Sequence, residues 1–318
     1  MTSSLDDDRS GLWAITTFFN PAGYRRRGEN YRVFRERLGV PLLTVELSFG
    51  GPFELNQDDA DILVQRRGGD VMWQKERLFN IALSALPPEC RSVAFLDCDI
   101  VFDRMDWADQ TVAALGDHPL VHLYERIQFM PRDLPSGRLA IEASEGHLES
   151  LVAAVAGGLD PNSVLSAMSE TNNAIYARGT AWAGRREVVE STGFFDVCII
   201  GGGDTAFVTS LYGCHDFLRQ RHHASEAEHA AYLDWSARLL TAMANGRPGH
   251  IPGDILHLWH GSLADRRRAT RHAGLARFDF DPSRDIAIGE SGAWVWASDK
   301  PDLHAYVRDY FTGRREDG

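Results

Sequence analysis

Short apolar runs alternating with helix-patterned segments across the first hundred residues constrain this chain more than any other feature. Leu12–Phe19 (LWAITTFF) is β-branched and aromatic and stops at Asn20-Pro21-Ala22-Gly23, a strand followed by a loop. Tyr31, Phe34 and Leu38 are spaced for a helix over 30–38, and Pro41–Leu47 reads as a second strand. Asp61–Val64 is a third short strand before the Gly68-Gly69 turn. Met72–Leu86 repeats apolar residues at helical spacing and ends at Pro87-Pro88, after which the strand Ser92–Leu96 runs into Asp97-Cys98-Asp99. This βαβ rhythm predicts an α/β fold with a mostly parallel central sheet flanked by helices. Such sheets bind ligands at the carboxyl ends of their strands, where residues 20–27 and 97–99 emerge. No GxGxxG or GxxxxGK[ST] pattern occurs, so neither a dinucleotide fingerprint nor a P-loop is supported.

Beyond residue 130 the pattern is looser. Residues 131–158 read as loop and then Ala-rich helix, and Asn172–Trp182 and Gly193–Gly203 as strand and turn around the helix Arg185–Ser191. A further helix is expected over Thr205–Leu211. Phe217–Ala244 is mainly helical, with His222, His223 and His229 on what reads as a solvated face. Ile251–His260 (IPGDILHLWH) reads as a strand ending in two histidines. No repeat or low-complexity linker is visible, so one domain over 12–261 is expected, after a loosely ordered 1–11 and before a C-terminal extension, 262–318, packed on it.

Composition narrows the function classes. The 318 residues carry 33 Lys+Arg against 45 Asp+Glu, a formal charge of −12, which disfavours non-specific coating of nucleic acid but suits divalent cations. Lys75 and Lys300 are the only lysines. The four cysteines, Cys90, Cys98, Cys198 and Cys214, show no CxxC spacing and read as reduced thiols. Met1–Asp8 has no signal-peptide character, and no run approaches eighteen apolar residues. A cytoplasmic location without an anchor is expected.

Several constellations carry chemistry. Asp97 and Asp99 share a strand face, so they can hold one hard cation, or one can bind metal while the other takes a ribose hydroxyl. A solvated strand end is the plain alternative. His257 and His260 add imidazole donors, and mixed oxygen and nitrogen ligands favour Mn²⁺ over Mg²⁺. Gly201–Gly203 permits close backbone approach to a ligand, and Asp204 reads equally as a helix N-cap or as a general base beside an acceptor. Arg25-Arg26-Arg27 can meet a nucleotide's base or phosphates, and Lys75 can pair with a diphosphate. Arg266-Arg267-Arg268 and Arg271 either contact an anionic acceptor or offset the acidic surface.

Taken in order, these segments resemble a GT-A glycosyltransferase (nucleotide-diphospho-sugar transferase fold), and specifically the catalytic domain shared by β-1,4-galactosyltransferases and polypeptide N-acetylgalactosaminyltransferases. ITTFFNPAGYRRR is similar to that family's uridine-holding strand and loop, which points to Asn20, Pro21, Arg25 and Arg27. WQKERLFNIAL resembles its helix with a basic residue for the diphosphate, implying Lys75, with Arg77 as the neighbouring option. FLDCDIVF resembles the DxD strand, implying Asp99 as metal ligand and Asp97 at the ribose or a metal-bound water. GFFDVCIIGGGD resembles the glycine pair, here Gly202 and Gly203, before the acidic group at the acceptor, with the catalytic base falling on Asp204. HLWH resembles the later metal segment, implying His257 and His260. The family's acidic stretch is reduced here to a single carboxylate in Gly203-Asp204-Thr205, and residues 262–318 have no counterpart.

The resemblance implies a Mn²⁺- or Mg²⁺-dependent, inverting transfer of galactose, glucose or an N-acetyl form from a UDP-sugar to an acceptor hydroxyl. The acceptor is left open among glycan, protein, small molecule and hydroxymethylated DNA base, the last being the one role left for nucleic acid. Two rival readings are a nucleotidyltransferase of related architecture and a catalytically silent nucleotide-sugar binding protein.

Overall fold

A computed structural model describes residues 11–171, 175–262, 264–268 and 270–318. The expectations for residues 1–10 and for the start of the 172–182 segment therefore lie outside the described residues. Fourteen strands are described, beginning with β1 (Leu12–Phe19), β2 (Leu42–Ser48), β3 (Ile62–Arg67) and β4 (Ser92–Leu96). There follow β5 (Ile100–Phe102), β6 (Leu120–His122), β7 (Arg126–Phe129), β8 (His147–Ser150) and β9 (Tyr176–Ala177). The last five are β10 (Ala181–Arg185), β11 (Gly249–His250), β12 (Asp254–His257), β13 (Ile286–Ile288) and β14 (Trp294–Trp296).

The main sheet has the order β11-β6-β10-β4-β1-β2-β3, and only β10 runs against its neighbours. The expected α/β class, with a mostly parallel sheet flanked by helices, is the fold observed. β1 is buried along its whole length because it lies between β4 and β2 with apolar side chains meeting packing on both faces. Trp13 and Ile15 enter one core cluster while Leu12, Ala14 and Phe18 enter the other, as strand alternation requires. β3 forms one edge, and the exposed Arg66 and Arg67 guard it against further strand pairing.

A second sheet, β5-β12-β7-β8-β9, grows from the turn that follows β4. Its register pairs His257 of β12 with Ile100 of β5, the residue directly after Asp99. Two segments about 160 positions apart in sequence are thereby set side by side. The C-terminal segment returns over the same end of the main sheet. The β13–β14 hairpin is tied to the helix Lys75–Leu83 through Gln74, whose side chain donates to Trp294 O at 2.9 Å and accepts from Trp294 N at 3.0 Å.

Most expected elements are present with shifted ends, and four readings need correction. Residues 193–202 form no strand, and the backbone of Val197–Gly201 closes local turns instead, Ile199 N donating to Val197 O and Gly201 N to Cys198 O. Ile251–His260 is not one strand: β12 ends at His257 and His260 lies three residues beyond it. Asp204 is not the N-cap of the helix Gly203–Leu211, a position that Gly202 occupies with φ 113°. His222 and His229 are buried rather than on a solvated face, His222 being stacked on His272 at 4.0 Å. Among the described residues no helix is long and apolar enough to cross a membrane. All four cysteines are free thiols.

Candidate functional site

A cleft of about 260 Å³ opens at the carboxyl ends of β1 and β4, where the sheet's topology directs ligands. Two clusters of titratable side chains line it. The first joins Asp99, His257 and His260, whose ligand-type atoms all lie within 4.8 Å of one another. His260 Nε2 is 3.0 Å from Asp99 Oδ2 and 3.3 Å from His257 Nε2. The backbone fixes this convergence: Leu258 N donates to Asp99 O at 2.8 Å, and the β5–β12 register holds His257 alongside. Asn30, on the helix Arg25–Arg37, donates to Trp259 O at 3.0 Å and pins the segment between the two histidines.

The donor chemistry of this cluster suits a divalent cation. Burial holds His260 down at about 3 and His257 well below the usual imidazole range, so both rings are neutral and carry a lone pair. Burial, reinforced by Asp97, pushes the Asp99 carboxyl up to about 7, and its buried Oδ1 has no hydrogen-bond partner. A carboxylate left uncompensated in this way is stabilised by a cation. His260 also has an outer partner, Glu316, whose Oε1 lies 3.7 Å from Nδ1. A carboxylate behind a histidine orients the ring and raises its basicity as a ligand. Glu316 is fully buried between Arg27, at 2.5 Å, and Arg314, and these two guanidiniums outweigh burial to hold its carboxyl well below the ordinary range.

The second cluster centres on Lys75, at the first turn of the helix Lys75–Leu83. Its Nζ donates to Asp204 Oδ1 at 2.9 Å and to Asp97 Oδ1 at 3.1 Å, and lies 3.8 Å from Glu76 Oε1. Burial alone disfavours the ammonium, but the surrounding carboxylates outweigh it and raise Lys75 well above its ordinary value. The same pairing lowers Asp204 against the effect of burial, and the first turn of the helix Gly203–Leu211 adds a favourable dipole for that carboxylate. Glu76, also buried, is pushed up to about 7 by desolvation, only partly offset by Lys75.

Backbone features clear the space around Asp204. A Cβ on Gly179 would lie 2.1 Å from Asp204 Cγ, so only glycine fits there. The next residue, Thr180, holds φ at 79°, an uncommon value for a β-branched residue, and its carbonyl accepts from Asp97 N at 2.8 Å. Backbone strain thus sits beside both carboxylates. Behind them a recess of about 30 Å³ is lined by aromatic rings that include Trp182 and Phe207.

The sequence-predicted residues divide into two groups. Arg27, Lys75, Asp97, Asp99, Gly202, Asp204, His257 and His260 all line the cleft, and Gly203 lines the recess behind it. Asn20 instead closes its own loop, exchanging hydrogen bonds with Tyr24 at 2.9 Å in each direction, and neither Asn20 nor Pro21 lines the cleft. Arg25 is exposed and paired with Glu29. Arg77 points to Asp196 and Gly292 O, away from the cleft.

Glu76, Arg178, Glu316 and Arg314 were not singled out from the sequence. Glu76 had one usable signal, its position directly after Lys75 at a helix start. Glu316 had none, lying 289 positions from Arg27.

No protein-family model and no curated protein matches this chain. Solved structures to which it is similar include a mutant of Drosophila β1,4-galactosyltransferase 7 in complex with manganese, UDP-Gal and xylobiose. That likeness has 11% identity, covers 92% of this chain and 97% of that one, and gives a TM-score of 0.41. A mannosyltransferase from Pyrobaculum calidifontis in complex with GDP-Man and Mn²⁺ is similar at 15% identity, over 95% of this chain and 72% of that one, with a TM-score of 0.39. A 4-diphosphocytidyl-2C-methyl-D-erythritol synthase from Anaerococcus prevotii is similar at 12% identity, over 79% of this chain and 90% of that one, with a TM-score of 0.35. None of these likenesses assigns an activity to the chain.

Proposed function

We propose that this protein transfers a hexose from a UDP-sugar to an acceptor hydroxyl, with inversion at the anomeric carbon. The observation that supports the reading is the convergence in one cleft of a cation-type triad, Asp99, His257 and His260, with the Asp97–Lys75–Asp204 bridge. A Mn²⁺ or Mg²⁺ held by the triad supplies charge neutralisation for the diphosphate leaving group. Asp97 takes a ribose hydroxyl, and Arg27, which lines the cleft, is assigned to the uridine. Lys75 exchanges its carboxylate partners for the diphosphate of the donor, which a flexible ammonium does at little cost in geometry.

That exchange frees Asp204. While paired to Lys75 its carboxyl titrates low and is a weak base; released, it is basic enough to accept the acceptor's proton. The acceptor oxygen then bonds to the anomeric carbon as the bond to the diphosphate breaks, and its electron pair leaves with UDP. The absence of a side chain at Gly179 lets the Asp204 carboxylate sit against the backbone there, and the open cleft, lined by Gly202 and Asp204, receives the sugar and acceptor.

The test is UDP release from UDP-glucose, UDP-galactose and their N-acetyl forms with Mn²⁺ and a panel of hydroxyl acceptors. Asp99→Ala is expected to abolish it; full activity in that variant would remove the metal assignment. Asp204→Asn is expected to keep UDP–Mn²⁺ binding while transfer falls about 10²–10⁴-fold, the usual worth of a general base. A nucleotidyltransferase would instead release pyrophosphate from UTP and a sugar phosphate, and a silent binder would hold UDP and release nothing. Glu76 is the second candidate base, because its carboxyl near 7 matches neutral pH. Transfer that survives in Asp204→Asn but is lost in Glu76→Gln would move the role to it.

A further inference from the structure

The cleft carries more positive charge than a nucleotide-sugar requires. Seven arginines and Lys75 line it against four carboxylates, in a chain whose overall balance is −12. Outside the cleft, partly buried arginines such as Arg77 and Arg186 have carboxylate partners, Asp196 and Glu190, and Arg185 has the carbonyls of Leu115 and Gly116. Arg27 and Arg314 share Glu316. Among the described residues, Arg178, Arg266, Arg268 and Arg271 form no ion pair with a carboxylate, and buried nitrogens of Arg178 (Nη1) and Arg266 (Nε) have no hydrogen-bond partner.

These groups fall on two sides of the cleft. Arg266 feels the charge of Asp99, on the metal side. Arg178 and Arg268 feel the charge of Asp204, with Arg221 and Arg271 beside them. The Asp204 group comes from three separate places in the chain: the loop before β10, the helix His215–His222, and the segment that leads into the helix Arg271–Ala276. Arg271 is held in place, donating to Tyr310 Oη at 2.5 Å. Burial, and then the charges of Arg221 and Arg268, pull the Arg178 guanidinium down to about 10, so the cluster is maintained at a cost that a bound anion would remove.

We infer that the acceptor carries its own anionic group, a phosphate or carboxylate, and that Arg178, Arg268 and Arg271 hold it beside Asp204. The inference rests on the transferase reading above. In that reading the two negative charges of the donor's diphosphate are balanced on the other side of the site by a divalent cation and Lys75, which leaves these arginines for a second anion. Guanidiniums suit the task because their planar donors match phosphate and carboxylate oxygens. A small acceptor fits better than a nucleic acid, since the arginines line the wall of one cleft instead of tracking a line of phosphates.

Calorimetry on the whole protein separates the possibilities. UDP with Mn²⁺ is titrated first, and glycerol 3-phosphate or glycerol is then titrated into the loaded protein. Glycerol 3-phosphate is expected to bind at least roughly tenfold more tightly than glycerol, and Arg268→Gln and Arg178→Gln each to lose about that factor. Arg268→Lys should restore much of it, and Arg268 is exposed, so its replacement leaves the fold intact. Equal affinity for the two probes, or no effect of Arg268→Gln, with UDP binding preserved, overturns this inference alone. Competition between glycerol 3-phosphate and UDP also overturns it, by giving the arginines to the donor. Absence of UDP–Mn²⁺ binding overturns the transferase reading, and this inference with it.

Discussion

Glu316 lies two residues from the end of the chain, yet it joins the tail to the cleft. Its carboxylate accepts from Arg27 and Arg314 and stands behind His260. The substitution Glu316→Gln keeps the shape and one acceptor oxygen but removes the charge shared by two buried guanidiniums. Breaking a buried ion pair costs roughly 3–5 kcal/mol, and the amide's remaining acceptor places the expected loss near the lower figure, about 3 kcal/mol. For a chain of this size that corresponds to a melting temperature lowered by roughly 4–5 °C.

Under the proposed function the second effect falls on the cation held by the triad. Removing the outer partner of a histidine ligand weakens metal binding by about 10–100-fold, so Mn²⁺ affinity should drop by that factor well below the variant's melting temperature. Scanning calorimetry gives the first quantity and titration of Mn²⁺ at 20–25 °C the second. The carboxyl is depressed in the folded state, so its stabilisation is complete above the ordinary glutamate value of about 4.3 and is lost as pH falls through the folded value. The stability gap between wild type and variant should therefore persist at neutral pH and narrow in acid. If Mn²⁺ affinity changes by less than about twofold while the melting temperature falls, Glu316 only fastens the tail, and its assignment as the partner of His260 is wrong.

Other perturbations give equally direct readouts. Glu76→Gln removes a carboxyl that is harder to ionise folded than unfolded, so the wild type loses stability as pH rises from about 4.5 to about 7 and the variant does not; the relative gain at pH 8 should reach up to about 3 kcal/mol in urea unfolding, and a pH-independent difference would refute it. Lys75→Met leaves Asp97, Asp204 and Glu76 without their shared cation and is expected to cost roughly 3–5 kcal/mol at pH 7, with partial recovery at pH 5 as carboxyls protonate. Gly179→Ala drives a methyl group into Asp204 and should reduce transfer while UDP–Mn²⁺ affinity is kept; unchanged transfer would show that the Asp204 carboxylate can move aside freely.

What the sequence disclosed follows the range of the interactions concerned. β1 and β4 were legible with their observed ends because an apolar run closed by turn residues is a local signal. Asp97, Asp99 and Asp204 were legible as cleft-lining residues because strand ends and glycine turns mark where such a sheet opens to a ligand. The Asp204 cap reading failed because Gly202, with no Cβ, takes the left-handed position more easily, which leaves the carboxylate free to reach Lys75. The Asn20–Arg27 segment shows the limit of spacing as evidence. Only Arg27, in the first turn of the helix Arg25–Arg37 and donating to Phe19 O at 2.9 Å, reaches the cleft, while Arg25 on another face of the same helix meets solvent. No local pattern announces a contact such as His222 on His272 or Glu316 with Arg27, where the partners lie in segments joined only by the tertiary fold.

Lys75 shows why the two clusters act together. In the structure it is the only ammonium in the cleft, surrounded by carboxylates whose separate burial would be unfavourable. Any anion that draws Lys75 away must leave Asp97 and Asp204 exposed to each other's charge, which raises the affinity of both for a proton. A diphosphate arriving at the Asp99–His257–His260 side is such an anion. Under the proposed function, donor binding therefore converts Asp204 from an ion-paired carboxylate into a base before the acceptor enters, and it predicts an order: UDP-sugar first, acceptor second. Product-inhibition kinetics test this order. UDP should compete with the UDP-sugar and not with the acceptor, and a random order would mean that Asp204 is already basic enough while Lys75 is still bound to it.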